Sequence, residues 1–218
     1  MPDGSPIEGE TVRLERLDAG HHASEMYAAV AGADELWQFL PYGPFETEQA
    51  FTGWVAECAA STDPLFYAIV DRSSGAALGQ GSLMRMAPQH GVIEVGHLLF
   101  TPRLQRTRQA TEAIYLWARY AFDVLGNRRL EWKCNALNMP SRRAAERFGF
   151  TFEGQFRKHM VVKDRNRDTA WYSITDDEWP TRRAAFEAWL SPDNFDASGR
   201  QRRSLADIRQ GIQTAPRG

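Results

Sequence analysis

The sequence contains few cysteines and no long apolar run. Only Cys58 and Cys134 occur among 218 residues. Nothing in their spacing suggests a disulfide framework or a metal site, so we expect two buried thiols in a protein of the reducing cytoplasm. No apolar stretch approaches the ~20 residues that span a bilayer. Met1–Glu10 lacks the basic start and apolar block of a signal peptide.

An excess of charge of either sign is also absent. The formal net charge is -2, which excludes a strong global attraction to nucleic acid or to an anionic membrane. The arginines of the C-terminal segment are interspersed with Asp193, Asp196 and Asp207, so direct nucleic-acid binding is not expected. A hydrophobic fraction of 43% and a charged fraction of 25% are typical of a soluble globular protein.

The hydrophobic pattern predicts one mixed α/β domain. Alternating or continuous apolar residues predict strands at Thr11–Leu17, Leu65–Val70, Ala76–Met86, Val92–Phe100, Arg129–Ala136, Phe152–Lys163 and Thr169–Thr175. Spacings of three and four residues predict helices at His21–Val30, after the N-cap Thr47, and at Ala110–Leu125, Pro140–Phe148 and Trp179–Leu190. We expect the domain to span residues 8–190, and residues 191–218 to form a polar extension with one short helix around Ile208.

A polar loop, Gln105–Ala110, joins the strand that ends at Phe100 to the most regular helix of the chain. The N-terminus of a helix presents unpaired backbone N–H groups and the positive end of the helix dipole. The loop therefore predicts an anion site suited to a phosphorylated cofactor. Arg106 and Arg108 carry guanidinium groups that match phosphate oxygens, although solvated loop arginines are the alternative.

Further motifs follow this loop in a recognisable order. Asn138-x-x-Ser141 opens a short helix that ends in Gly149-Phe150, and the hairpin segment Arg165–Ser173 comes later. With Leu36–Pro41 upstream, residues 11–179 resemble the GNAT acyl-CoA N-acetyltransferases, in particular the branch of ribosomal-protein N-terminal alanine and serine acetyltransferases. The resemblance implies an α/β (α+β) fold. Its mixed, mostly antiparallel central sheet is splayed near its middle and flanked by helices.

The resemblance also implies acetyl-CoA as co-substrate, with its pantetheine arm along the backbone at Gly96–Phe100. The implied cofactor-binding residues are Leu98, Leu99, Phe100, Gln105, Arg106, Thr107, Arg108, Gln109, Ala110, Asn138, Ser141 and Arg142. Arg108 stands where the family usually has Gly, a residue that tolerates positive φ. Either the loop keeps its path with the Arg108 guanidinium near the phosphates, or the loop is distorted.

Glu94 is the candidate general base, because members of the family that use a carboxylate base have one at the matching place. Burial in an apolar strand would raise its pKa. Alternation places Glu94 and His97 on opposite faces of the strand. His97 is the rival base, and a surface glutamate and a partly buried strand histidine are the alternative interpretations.

Many relatives place a Tyr four residues before the Gly of the Gly-Phe pair, where it protonates the leaving thiolate. The matching residue here is Ala145. The resemblance makes Ser141 the substitute, and the alternative is a hydrogen bond in the first turn of its helix. Asn138 would hold a pantetheine amide, or serve only as the helix N-cap.

Trp37, Tyr42, His97 and His159 are expected to line the acceptor site, with packing in the core as the alternative for the aromatic residues. The acceptor would be a protein N-terminus or a small-molecule amine. A non-catalytic acyl-CoA-binding module is the alternative function. A homodimer is compatible with exposed late strands.

Overall fold

The computed structural model describes residues 1–214. The strands are β1 (Ile7–Glu8), β2 (Val12–Arg16), β3 (Leu65–Asp71), β4 (Ala77–Ala87), β5 (Val92–Phe100), β6 (Arg129–Asn135), β7 (Thr151–Val162) and β8 (Arg165–Thr175). The α-helices are α1 (Ala19–Val30), α2 (Glu48–Ala60), α3 (Arg108–Arg119), α4 (Met139–Phe148), α5 (Trp179–Leu190) and α6 (Leu205–Thr214). A π-helical turn, Tyr120–Val124, continues α3.

The strands form one eight-stranded sheet in the order β1-β2-β3-β4-β5-β6-β8-β7. Neighbouring strands are antiparallel except β5 and β6, which are parallel. The parallel pair follows from its connection, because α3 carries the chain back across the sheet before β6 begins. The expected mixed sheet flanked by helices is confirmed.

The sheet opens between β5 and β6. These strands pair only from Val92 to Glu94 on β5 and from Arg129 to Glu131 on β6. Beyond Glu94 the strands diverge, so the edge of β5 that faces β6 keeps its backbone groups unpaired by that neighbour. This opening is the predicted splay of the central sheet.

A bulge in β5 changes which side chains face this opening. The register against β4 leaves one extra residue between Gly96 and Leu99, and His97 adopts a left-handed φ of 50°. An inserted residue shifts the alternation that follows it. The ring of His97 lies 5.3 Å from that of Phe66, on the same side of the sheet as Glu94. The prediction that Glu94 and His97 face opposite sides was therefore wrong.

Two apolar layers cover the sheet. Trp117 of α3 is fully buried on one face, where a Cβ at Gly81 would lie 2.5 Å from its ring. On the other face, α1 and α2 enclose Trp37 and Phe51. Fully burying one large apolar side chain contributes about 1.5–3 kcal/mol. These layers hold the opening between two rigid halves of the sheet.

The hairpin of β7 and β8 turns earlier than the sequence suggested. The predicted connection was Asp164–Asp168, whereas the turn is Lys163–Asp164, with φ of 50° and 58°. Two left-handed residues make the tight turn that matches the twist of paired strands. β7 forms an exposed edge of the sheet, and Val161 on it is 75% exposed. The homodimer stays a prediction.

The C-terminal segment packs on the domain. The expected short helix is α6, whose Leu205 and Ile208 are buried. Arg209 of α6 donates to the carbonyl oxygen of Arg147 at 3.0 Å. The predicted domain boundary at Leu190 stays a prediction. Within residues 1–214, every helix is too short or too polar to cross a membrane.

Candidate active site

A buried ion-pair cluster lies where β5 and β6 separate. Lys133 Nζ is 2.8 Å from Glu94 Oε2 and 2.6 Å from Glu131 Oε2. The side chains of Glu94 and Lys133 are only 6% and 5% exposed. Arg85 Nε lies 3.6 Å from the same Glu94 oxygen. Glu94 thus shares a buried site with two cations.

The pKa of Glu94 is raised. Burial is the main cause, and the charge and hydrogen bond of Lys133 oppose it without cancelling it. The direction agrees with the expectation from the apolar strand. A carboxylate whose pKa is shifted toward neutral pH is better matched to removing a proton from an ammonium or a water.

Lys133 is a site residue that the sequence reasoning missed. Glu131 and Lys133 alternate along β6 with the apolar Trp132 and Cys134, a pattern that marks one charged face. Only the pairing of Glu94 with Glu131 reveals that this face meets the candidate base. Lys133 Nζ also lies 3.8 Å above the ring of Trp171.

His97 is a neutral neighbour of this cluster. Burial lowers the pKa of His97 to about 4, and the charges of Arg85 and Arg167 lower it further. Its Nδ1 shares a hydrogen bond of 3.0 Å with the hydroxyl of Tyr42, and burial raises the pKa of that phenol. A base with so low a pKa is weak at neutral pH, which favours Glu94 over His97 as the proton acceptor.

We expect His97 to make folding stability depend on pH. Its pKa is about 4 in the folded chain and about 6.5 in an unfolded one. Between these values the unfolded chain binds more protons, so the free energy of unfolding falls as pH drops, by about 3 kcal/mol. Asn tolerates a left-handed φ, so His97→Asn should flatten this slope in urea denaturation between pH 7 and 4. The exposed His21→Asn serves as control. An unaltered slope in His97→Asn would contradict the assignment.

The backbone of β5 beyond the bulge, rather than its side chains, faces the opening. Leu99 is 1% exposed and packs in the layer under α1 and α2. Leu98 and Phe100 are partly buried against the opposite layer. The roles predicted for these three residues stay predictions, and the pairing of β5 with β6 ends at Glu94, before it reaches them.

The loop before α3 leads into a capped helix start with free backbone donors. Thr107 Oγ1 accepts from the N–H of Ala110 at 3.1 Å and caps the helix. Within residues 1–214, the N–H groups of Arg106, Arg108 and Gln109 donate no backbone hydrogen bond. Arg106, not Arg108, adopts the left-handed conformation, with a φ of 62°. Such an arrangement of free donors suits a phosphate.

The side chains of the loop are largely committed to the protein. Arg108 is the first helical residue, and its guanidinium donates to the carbonyl oxygen of Leu190 and to Glu10 Oε2 at 3.1 Å. The loop therefore keeps a regular path, and the Arg108 guanidinium contacts other segments, so its contact with phosphate stays a prediction. Gln105 Nε2 donates to Phe100 O at 3.0 Å. Gln109 Nε2 donates to a carboxylate oxygen of β3 at 2.7 Å.

At the start of α4, both interpretations of the motif remain compatible with the geometry. Asn138 Oδ1 accepts from the N–H of Ser141 at 3.1 Å and is the N-cap. Ser141 Oγ accepts from Trp132 Nε1 at 3.1 Å. Arg142 Nε donates to the hydroxyl of Tyr172 at 3.0 Å, which holds this guanidinium against β8.

The aromatic residues between α1 and α2 mainly pack in the core. Trp37 is 2% exposed, and its ring contacts those of Phe45 and Trp54. This packing is the alternative interpretation of Trp37, and its contact with an acceptor stays a prediction. Its carbonyl oxygen accepts from Lys163 Nζ at 2.9 Å, which ties the tip of the β7–β8 hairpin to this loop. Of the predicted aromatic pair, only Tyr42 reaches the cluster around Glu94.

His159 lies on the outer hairpin. Its Nδ1 is 2.9 Å from Thr169 Oγ1, and its ring centroid is 6.1 Å from that of Trp171. Trp171 thus links His159 to the Lys133 side of the site. An open groove of about 730 Å³ beside it is lined by Phe156, Arg157, Lys158, His159, Asn166 and Asp168.

Comparisons with known proteins agree with this fold. Residues 11–151 match the family model described as acetyltransferase (GNAT) domain. A GCN5-related N-acetyltransferase from Brucella melitensis is 48% identical, with a TM-score of 0.94 over 96% of each chain. A probable acetyltransferase of the GNAT family from Chromobacterium violaceum is 47% identical, with a TM-score of 0.77 over 82% of this chain and 90% of its own. The uncharacterized N-acetyltransferase YnaD of Bacillus subtilis is 26% identical over 66% of this chain and 82% of its own.

Proposed function

This chain belongs to the GNAT family of acetyltransferases, which transfer acetyl groups from acetyl-CoA to amines, and from that premise we propose that it acetylates a primary amine by direct attack in a ternary complex. The observation that carries the proposal is Glu94, a buried carboxylate with a raised pKa at the point where β5 leaves β6. The acceptor is a peptide N-terminus or a small-molecule amine. The motifs shared with ribosomal-protein acetyltransferases support the first of these.

Transfer requires a C–N bond to form as the thioester C–S bond breaks. Glu94 accepts the proton that the amine loses, directly or through water, because a protonated amine has no free electron pair. Unpaired N–H groups of β5 are suited to stabilise negative charge on the carbonyl oxygen. The hydroxyl of Ser141, which Trp132 orients by a hydrogen bond, can return a proton to the leaving sulfur.

The residues that would hold acetyl-CoA follow from the free donors of the site. The backbone N–H groups at the start of α3 suit its diphosphate, and the exposed Arg106 adds positive charge there. The unpaired edge of β5 suits the pantetheine amides, since an extended chain can pair with a free strand edge. These donors fit the chemistry of the group without a contribution from Arg108.

Substitution of Arg106 and substitution of Arg108 should have opposite effects on acetyl-CoA binding and on stability. Arg106→Gln should weaken acetyl-CoA binding about fivefold, because one charge-assisted contact is worth roughly 1 kcal/mol at an exposed site. Arg108→Gln should leave the dissociation constant within about twofold and lower the free energy of unfolding by about 1 kcal/mol, since it loses its bond to Leu190 O. Titration calorimetry and urea denaturation measure the two effects. The reverse pattern would place Arg108, not Arg106, on the phosphates.

The proposed reaction is tested by thiol release. The purified protein is incubated with acetyl-CoA and a panel of short peptides and small amines, and free CoA is measured with a thiol reagent. CoA release that depends on the amine, with an acetylated product found by mass spectrometry, supports the proposal. Acetyl-CoA binding without turnover across the panel would favour the non-catalytic acyl-CoA-binding module, an alternative raised by Ala145, where many relatives have the Tyr.

A further inference from the structure

Two arginines lie on the acceptor side of the site, the part that contains Glu94, Lys133 and His97. Arg85 stands at a bulge of β4 with a left-handed φ of 48°, and Arg167 stands on β8. Arg85 Nε lies 3.6 Å from Glu94 Oε2, and Arg167 lies on the same face of β8 as Trp171, whose ring contacts Lys133. The charges of both arginines lower the pKa of His97. Bulges next to active sites commonly redirect side chains, and here adjacent strands carry one bulge each, at Arg85 and at His97.

These cations are incompletely neutralised. Within the described residues, the Arg85 guanidinium forms one ion pair, with Glu94 at 3.6 Å, and that carboxylate already accepts from Lys133 at 2.8 Å. The carboxylate of Asp63 accepts instead from the backbone N–H of Arg85 at 2.9 Å. Arg167 uses its Nε to donate to Thr169 Oγ1 at 3.3 Å. Within residues 1–214, no carboxylate forms an ion pair with Arg167. Burial lowers the pKa of Arg167, and the nearby charge of Glu94 opposes this effect without cancelling it, which is the cost of holding a guanidinium there without a direct ion pair.

A charge count leads to the same conclusion. The acceptor side holds three cations and two carboxylates, namely Arg85, Lys133 and Arg167 with Glu94 and Glu131. The nearby Arg129 is balanced by a further carboxylate, that of Glu153. Among these side chains of the described residues, one positive charge remains without an ion-pair partner beside the proposed base. An ammonium ion alone would be repelled by it, whereas a ligand that also carries an anion would supply the missing charge.

This position is distinct from the diphosphate site proposed above. Arg85 meets Glu94 near the start of β5, whereas the loop before α3 follows its end. Six residues of strand separate Glu94 from Phe100, which corresponds to roughly 20 Å. One compact anion cannot contact both places. The arginines therefore serve a second anionic group.

Resting on the proposed acetyltransferase function, we propose that the acceptor is an amine that also carries a carboxylate or a phosphate, and that Arg167 and Arg85 bind this anion while Glu94 takes up the amine proton. The terminal nitrogens of a guanidinium match the paired oxygens of either group, and such contacts strengthen when water is partly excluded. Arg167 and Arg85 thus determine specificity.

Matched pairs of amines test the proposal. Phenylalanine is compared with phenylalaninamide, and O-phosphoethanolamine with ethanolamine. The measured quantity is kcat/KM at saturating acetyl-CoA, calculated from the concentration of the unprotonated amine. We expect at least a tenfold preference for the anionic member of one pair, and the preferred pair identifies the anion. Arg167→Gln should reduce the preference to within about twofold through the acceptor KM, with the acetyl-CoA KM unchanged. Arg165→Gln, an exposed arginine of the same strand, should keep it.

The outcomes separate this inference from the function on which it rests. Turnover with equal or higher kcat/KM for the neutral member of both pairs would overturn the inference and leave the acetyltransferase function standing. Acetyl-CoA binding with no turnover of any amine would overturn both. If Arg167→Gln does not fold, inhibition of the unaltered protein tests the inference instead. The anion 3-phenylpropanoate should compete with the acceptor at least tenfold better than 3-phenylpropanamide, and equal inhibition would overturn the inference.

Discussion

Glu94→Gln is expected to lower kcat/KM for the amine by about 100- to 1,000-fold, the usual contribution of a general base. The variant should remain folded, because Lys133 keeps Glu131 as a partner at 2.6 Å. Its affinity for acetyl-CoA should be unchanged, since the predicted diphosphate donors lie beyond the other end of β5. Steady-state kinetics with the best acceptor and calorimetric titration of acetyl-CoA measure the two quantities.

The effect of Glu94→Gln should depend on pH. The raised pKa of Glu94 means that the carboxylate loses its proton at a higher pH than an ordinary glutamate. The defect should be largest where little free amine is present and should shrink at high pH, where the amine needs no base. Glu131→Gln is the matched control, because Glu131 accepts from the same Lys133 but lies on β6. Unchanged kinetics in Glu94→Gln, with a large loss in His97→Asn, would transfer the role of base to His97.

Lys133→Met should lower the free energy of unfolding by about 3 kcal/mol at pH 8, because removing the cation leaves two buried carboxylates short of a partner. Met has a similar length, so little packing volume is lost. Burial opposes ionisation of Glu131, but hydrogen bonds from Lys133 and Arg129 outweigh it and lower the pKa of Glu131. Without Lys133 the pKa values of Glu131 and Glu94 should both rise.

The pH dependence of the destabilisation by Lys133→Met gives a second readout. Carboxylates whose pKa is higher in the folded than in the unfolded chain lose stability as pH rises through the range between the two values. The destabilisation by Lys133→Met should therefore be smaller at pH 5 than at pH 8 in urea denaturation. Lys158→Met, at an exposed lysine of β7, should have little effect at either pH. An equal loss at both pH values would show that Lys133 stabilises through packing on Trp171 rather than through charge.

Much of the fold could be predicted from local pattern. The periodicity of the helices, the N-cap Thr47 and the long strand before Gln105 are properties of neighbouring residues, and the structure contains each of them. Errors arose where backbone conformation departs from the regular repeat. The left-handed His97 moved a ring to the other face of the sheet, and the tight turn at Lys163 shortened a predicted loop. Non-glycine residues with positive φ carry little signal in a single sequence.

The sequence by itself determined the order of the elements and predicted an anion site at the start of α3, because both depend on residues close in the chain. The family resemblance added Glu94 as the candidate base. Only the tertiary structure decided what surrounds Glu94. Lys133 and Arg85 reach it from strands whose register is set by long-range pairing and by bulges. The same holds for Arg108, which contacts Leu190 across 82 positions of the chain. The charge balance that selects a base, and the anionic acceptor proposed here, are properties of that assembled cluster.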